Sequence, residues 1–233
     1  MNTEDPIQCF ARWYEDPVTG DGFRDQTLLQ FGDDWRLLAS VVLLNPGSAV
    51  PAEPEPQDAY LEALNLPFLV TGGAAHYYRF TVDPFMRKLS RVFTKTYRGG
   101  VVKLYDLFNL RESDTGRAIA QLERYASHPR MFTPPAEIQF GEAPVVIACG
   151  ANAYDWPELA RELKMYVSLA RPEQLHAIGQ AGPKRFRIDR AVPDAGGLVE
   201  SYHPSYTCKY GNVTELGPSW LAAWPPDLAN RSR

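Results

Sequence analysis

At 233 residues, 45% hydrophobic and 22% charged, the chain is long enough to bury a full core and falls in the size range of one α/β domain. A formal charge of −4 counts against a protein that holds nucleic acid purely by bulk electrostatics, so any DNA site must be a local patch of Lys and Arg. No run reaches the roughly 18 apolar residues of a membrane span, and the opening MNTEDPIQCF is acidic rather than a basic, then apolar, leader.

Cys9, Cys149 and Cys208 are far apart, with no CxxC pair and no His/Cys cluster of zinc spacing. Three cysteines are also too few for a four-thiolate iron–sulfur cluster. The expectation is one domain over residues 1–233, cytoplasmic and monomeric, with reduced thiols, no metal, no cofactor and no membrane partner.

In chain order, LLASVVLLN (37–45) is short, β-branched in its middle and stopped by Pro46-Gly47, which predicts a buried strand entering a tight turn. The proline-rich PAEPEPQD (51–58) predicts an extended surface loop beside that strand end. Asp83-Pro84 ahead of FMRKLSRVF supplies a cap, a proline at the first helical position, and apolar Phe85, Leu89 and Val92 at helix spacing. VVKLYD (101–106) and PVVIACG (144–150) predict two more strands. Asp155 before WPELARELKMYV predicts a second capped helix, with Leu159, Leu163 and Val167 four apart. QLHAIG (174–179) and GLVESYHP (197–204) complete the predicted strands.

Continuous rather than alternating hydrophobicity implies strands covered on both faces. Strands alternating with helices predict a doubly wound, mostly parallel central sheet flanked by helices. In such sheets ligands bind beyond the carboxyl ends of the strands, which directs attention to the residues where strands stop. Two basic runs could meet phosphates: Arg79, Arg87, Lys88, Arg91, Lys95, Arg98 and Lys103 form one, and Lys184, Arg185, Arg187 and Arg190 the other. Each run reads equally well as a solvated face.

The first strand stop is LLNPGSA and the last is YHPSYT. Alone, Asn-Pro-Gly is a turn signal and His-Pro-Ser is weak. In this order, with VVIACGANA (145–153) between them, they resemble the uracil-DNA glycosylase superfamily. The resemblance is closest to the types whose water-activating motif is written GINPG or GMNPG, which act on single-stranded or mismatched DNA. A fourth stretch, YDLFNLRESD, is similar to the NLFALRATDP segment of an uncharacterised bacterial family with an LNPS turn.

The resemblance implies a uracil-DNA-glycosylase-like fold and a DNA partner from which a pyrimidine is flipped and hydrolytically excised. Asn45 would hold the attacking water and His203 would stabilise the departing base. Gly47, Ser48, Gly150 and Ser205 would contact the DNA backbone, with Tyr206 and Lys209 as wedge or backbone contacts. Phe68 would be the stacking platform, or else an ordinary core phenylalanine.

Asp106 stands at a strand end where the superfamily has an asparagine that reads the base. An ionised carboxylate accepts from an exocyclic amine and not from a carbonyl, which suggests a modified cytosine, such as phage DNA carries, rather than uracil. If the strand instead runs on to Phe108, Asn109 becomes the reader and uracil the target; either residue could also simply cap the next helix or turn. A methyltransferase is disfavoured because no glycine-rich cofactor loop comes after a strand, and a serine hydrolase because GxSxG is absent. A non-catalytic nucleotide or damaged-DNA binder of the same fold remains the alternative.

Overall fold

A computed structural model of the chain describes residues 7–94 and 97–205. These residues form an α/β fold on one eight-stranded sheet: β1 Gln8–Glu15, β2 Gly22–Phe31, β3 Leu37–Leu43, β4 His76–Phe80, β5 Gly100–Asp106, β6 Val145–Ile147, β7 Leu175–Gly182 and β8 Arg185–Arg190, in the order β4-β1-β2-β5-β3-β6-β7-β8. The helices are α1 Asp58–Ala63, α2 Pro84–Thr94, α3 Thr115–Ala120, α4 Leu122–Tyr125, α5 Asn152–Asp155 and α6 Pro157–Leu169. No helix among the described residues is long and apolar enough to cross a membrane.

The expected mostly parallel sheet is corrected to a mixed one. Only β5-β3, β3-β6 and β6-β7 pair in parallel, whereas β4-β1, β1-β2, β2-β5 and β7-β8 are antiparallel. The parallel strands are the continuously apolar ones. The antiparallel strands β1 and β2 are invisible to a pattern reading because their buried positions carry Arg12, Arg24, Asp25, Gln26 and Gln30, which breaks any apolar run.

Two further expectations change. GLVESYHP is not a strand; it is irregular backbone lying along β7, with the Tyr202 N–H donating to Ile178 O at 2.8 Å. Asp155 closes α5, and Trp156 in extended conformation caps α6, whose first position is Pro157. The α2 reading holds in detail: Asp83 Oδ1 accepts from the Met86 N–H at 2.8 Å.

Alternation along β3 divides the core. Val41 and Leu43 pack with Met86, Leu89, Val92 and Phe93 of α2, while Val42 packs with Leu159, Leu163 and Tyr166 of α6 on the opposite face. A smaller cluster beneath α1 joins Leu61 to Phe10, Leu28, Tyr77 and Phe68. Lys103 leaves the basic run proposed for phosphates, because it is fully buried, donates from Nζ to Phe68 O at 2.6 Å and lies 4.9 Å from the Tyr105 ring centre.

One local irregularity positions the site. β2 carries one residue more than β1 between the pairs Phe10↔Leu28 and Arg12↔Asp25, and Gln26 adopts a left-handed φ of 51°. This bulge reverses the alternation of everything before it in β2. Asp25 turns to Arg12 across β1, with a bond of 2.7 Å, and Arg24 turns to the α2 face.

Candidate active site

The four parallel strands end on the same side. The chain leaves β3 through Asn45–Ser48 toward α1 and leaves β6 through Cys149–Ala151 toward α5 and α6, while α2 covers one face of the sheet and α6 the other; in such sheets ligands bind beyond the strand ends. There the structure holds a cavity of about 550 Å³, within the roughly 300–1,000 Å³ of small-molecule sites. Its walls are Leu43 to Ser48 after β3, Cys149 to Ala151 after β6, Asp83 to Met86 at the start of α2, His203 and Ser205, with Arg24, Leu104 and Ser113.

Asn45 is held by its Nδ2, which donates to Glu112 O at 2.7 Å. A carbonyl can only accept, so this contact fixes the amide orientation and leaves Oδ1 as the group able to accept from a water. Pro46 and Gly47, with φ +71°, turn the chain immediately afterwards. Arg111 clamps that turn by donating from Nε and Nη2 to Ser48 O.

His203 is set by its neighbours in three ways. Its ring stacks on Phe85 at a centroid distance of 5.4 Å and 23°. Its Nδ1 accepts the Ser205 backbone N–H at 3.2 Å and faces Ser205 Oγ at 2.9 Å. A backbone N–H can only donate, so Nδ1 is the acceptor and the neutral ring carries its proton on Nε2. Burial pushes the imidazole down to about 4, which keeps it neutral at physiological pH. Gly150 makes the approach possible: it has φ +82°, and a Cβ there would lie 3.2 Å from His203 Cβ.

The cavity therefore unites Asn45, His203, Gly47, Ser48, Gly150 and Ser205. Other expected residues lie elsewhere. Phe68 is in the core cluster beneath α1 and lines no part of the cavity. Asn109 is fully engaged: Nδ2 donates to Arg130 O at 3.1 Å and Oδ1 accepts from Thr133 Oγ1 at 3.3 Å, so its side chain does structural duty. Tyr206 and Lys209 lie outside the described residues. Asp106 ends β5 opposite Leu43, almost completely buried, and its Oδ1 has no hydrogen-bond partner among the described residues. Burial pushes its carboxyl up to about 7, with the Arg24 charge opposing.

Two residues of the site carry no site signal in the sequence. Phe85 reads only as part of the α2 stripe, although the Asp83-Pro84 cap already places it in the first helical turn. Arg24 has no signal at all, since only the bulge brings it to this face. Cys149 also lines the cavity, but burial pushes its thiol up to about 11, so it is protonated and unsuited to nucleophilic attack. Among the described residues no group of His, Cys, Asp and Glu is arranged to hold a metal ion. No protein-family model, curated protein or solved structure matches the chain.

Proposed function

We propose that this chain is a monofunctional DNA glycosylase: it takes a pyrimidine nucleotide flipped out of DNA into the cavity, hydrolyses the bond between base and sugar, and leaves an abasic site. The observation that carries the reading is that Asn45 and His203, more than 150 residues apart in sequence, line one cavity, and that the bonds they make leave an amide oxygen on one and an imidazole N–H on the other as the complementary groups. The resemblance of LNPG and HPS to the uracil-DNA glycosylase motifs, and of the parallel β5-β3-β6-β7 core with helices on both faces to a doubly wound sheet, supports it.

The chemistry rests on those two groups. As the C1′–N1 bond breaks, its electron pair moves onto the base and charge gathers on the base oxygen, where the His203 Nε2–H donates. The sugar becomes a cation, which needs only an oriented water. Asn45 Oδ1 accepts from that water, whose oxygen bonds to C1′ and whose proton is then released. A neutral imidazole is required, because it must donate from a fixed position without bringing a full charge to the buried site. Phe85, stacked on His203, offers the apolar wall against which a base can lie, and Ser48 and Ser205, which line the same cavity, would contact backbone phosphates.

The test is release of free base, followed by mass spectrometry, from DNA containing uracil, cytosine, 5-hydroxymethylcytosine or glucosylated 5-hydroxymethylcytosine, with Asn45→Ala and His203→Ala as controls. Release abolished by both substitutions is expected. Binding of DNA without release of any base would replace the enzyme with a binder of the same fold.

A further inference from the structure

Two opposite charges line the cavity. Among the described residues of its wall, Arg24 and Asp83 are the charged side chains, and Asp83 alone is a carboxylate. Asn45 is neutral, and burial keeps the His203 ring neutral at physiological pH. Arg24 is 2% exposed and anchored by Nη2 donating to Pro46 O, so without Asp83 the wall would carry a net positive charge.

Asp83 precedes α2 and uses its two oxygens differently. Oδ1 caps the helix by accepting the Met86 N–H at 2.8 Å. Oδ2 makes no hydrogen bond or ion pair among the described residues and lies 3.9 Å from the position of a Cβ on Gly47. That sets it beside the Asn45-Pro46-Gly47 turn, whose first residue would orient the water. Two residues further along, Phe85 stacks on His203, the other group of the site. A cap needs one oxygen and no charge, since serine, threonine and asparagine serve as well. Capping therefore accounts for Oδ1 and leaves the free oxygen and the charge unexplained.

Resting on the glycosylase reading, we propose that Asp83 is a further catalytic residue, the anion that faces the sugar cation while the base departs. The C1′–N1 electron pair leaves with the base, so positive charge develops on C1′ and the ring oxygen. Neither Asn45 Oδ1 nor the His203 N–H carries a counter-charge, and Arg24 has the wrong sign. Asp83 supplies it from a fixed helix cap, with no reorganisation during the step. In the ground state the same carboxylate repels the phosphates of bound DNA. Its favourable contact therefore exists only in the transition state, which is the condition for raising kcat rather than tightening the hold on substrate.

Two measurements test it. In base-release kinetics, Asp83→Asn should lower kcat at least about tenfold without raising KM, because asparagine keeps the cap and loses the charge. Asp83→Ser, a second uncharged cap, should do the same, and thermal melts of both variants should stay close to wild type; a purely structural cap predicts no loss of kcat. Binding is then compared for DNA carrying a pyrrolidine, cationic at neutral pH, in place of one deoxyribose and for the same strand with a neutral tetrahydrofuran. The wild-type protein should prefer the cation at least about tenfold, a low figure for opposite charges close together in a partly buried site, and Asp83→Asn should erase the preference. Equal wild-type affinity for the two strands, a preference that survives Asp83→Asn, or an unchanged kcat would overturn the proposal, and Asn45-dependent base release would then still uphold the glycosylase. No release of any base from DNA would overturn the glycosylase and the role of Asp83 with it.

Discussion

Replacing Asp106 by asparagine should stabilise the fold progressively as the pH rises. The carboxyl is 3% exposed with an unpartnered oxygen, and burial lifts it from its ordinary value of 3.8 to about 7. The sign is opposite to that of an ion-paired carboxylate. The unfolded chain loses this proton first, so the folded state is penalised increasingly between pH 3.8 and 7 and fully above that. At about 1.4 kcal/mol per tenfold change in acidity, the penalty grows to about 4 kcal/mol at pH 8 and is less than half of that at pH 5. Asparagine has the same shape and no charge, and whatever its unmatched amide costs is the same at both pH values. The stability difference between variant and wild type should therefore move by roughly 2–3 kcal/mol in favour of the variant between pH 5 and pH 8. For a domain of this size that corresponds to roughly 4–12 °C in melting temperature. Thermal melts of the two proteins at both pH values measure it, and an identical difference in melting temperature at pH 5 and pH 8 would refute the reasoning.

Three other outcomes are expected. Titration of the His203 ring by NMR should show a midpoint near pH 4, so the folded state loses the stability of a neutral, buried ring as pH falls from 6.5 through 4, and base release should persist to about pH 5; a midpoint near 6.5, with release lost below it, would refute the burial argument. Gly150→Ala forces a left-handed φ on an L-residue, costing about 1–2 kcal/mol, and pushes against His203 Cβ, so base release should fall far more than the melting temperature. Lys103→Met should leave DNA affinity and its salt dependence unchanged in filter-binding assays, because the buried amine reaches no phosphate; a salt slope reduced by about one would return Lys103 to the surface patch.

Legibility in the sequence tracks burial and local chemistry. β3, β5, β6 and the first half of β7 are buried on both faces, so their composition alone marks them, and the sharp stop at Asn45-Pro46-Gly47 marks where β3 meets the cavity. α2 and α6 announce themselves through proline at the first helical position and apolar residues one turn apart. β1 and β2 stay hidden because a buried ion pair, Arg12 with Asp25, takes positions where a pattern reading expects apolar side chains. Lys103 misleads for the same reason: neither charge nor spacing reveals that a carbonyl, Phe68 O, waits to receive it. The separation of Asp106 from Asn109 needs coordinates too, since it depends on which of them finds partners after β5 ends.

Arg12 and Arg24 show how one extra residue can divide structure from function. Both are buried arginines on adjacent strands, 1% and 2% exposed. Arg12 meets the carboxylates of Asp25 and Glu137, the arrangement in which a buried guanidinium is tolerated. Arg24 meets a single backbone carbonyl. Without the bulge at Gln26, alternation would send Arg24 to the face occupied by Arg12 and Asp25 to the cavity, exchanging a donor wall for an acceptor wall. A non-glycine residue at φ 51° costs of order 1–3 kcal/mol and persists only where its surroundings hold it; Gln26 is held by Nε2 donating to Glu137 O at 3.0 Å, beside the carboxylate that grips Arg12. The ion-pair network of β1 and β2 thus fixes the bulge, and the bulge fixes which charge the cavity presents to its ligand.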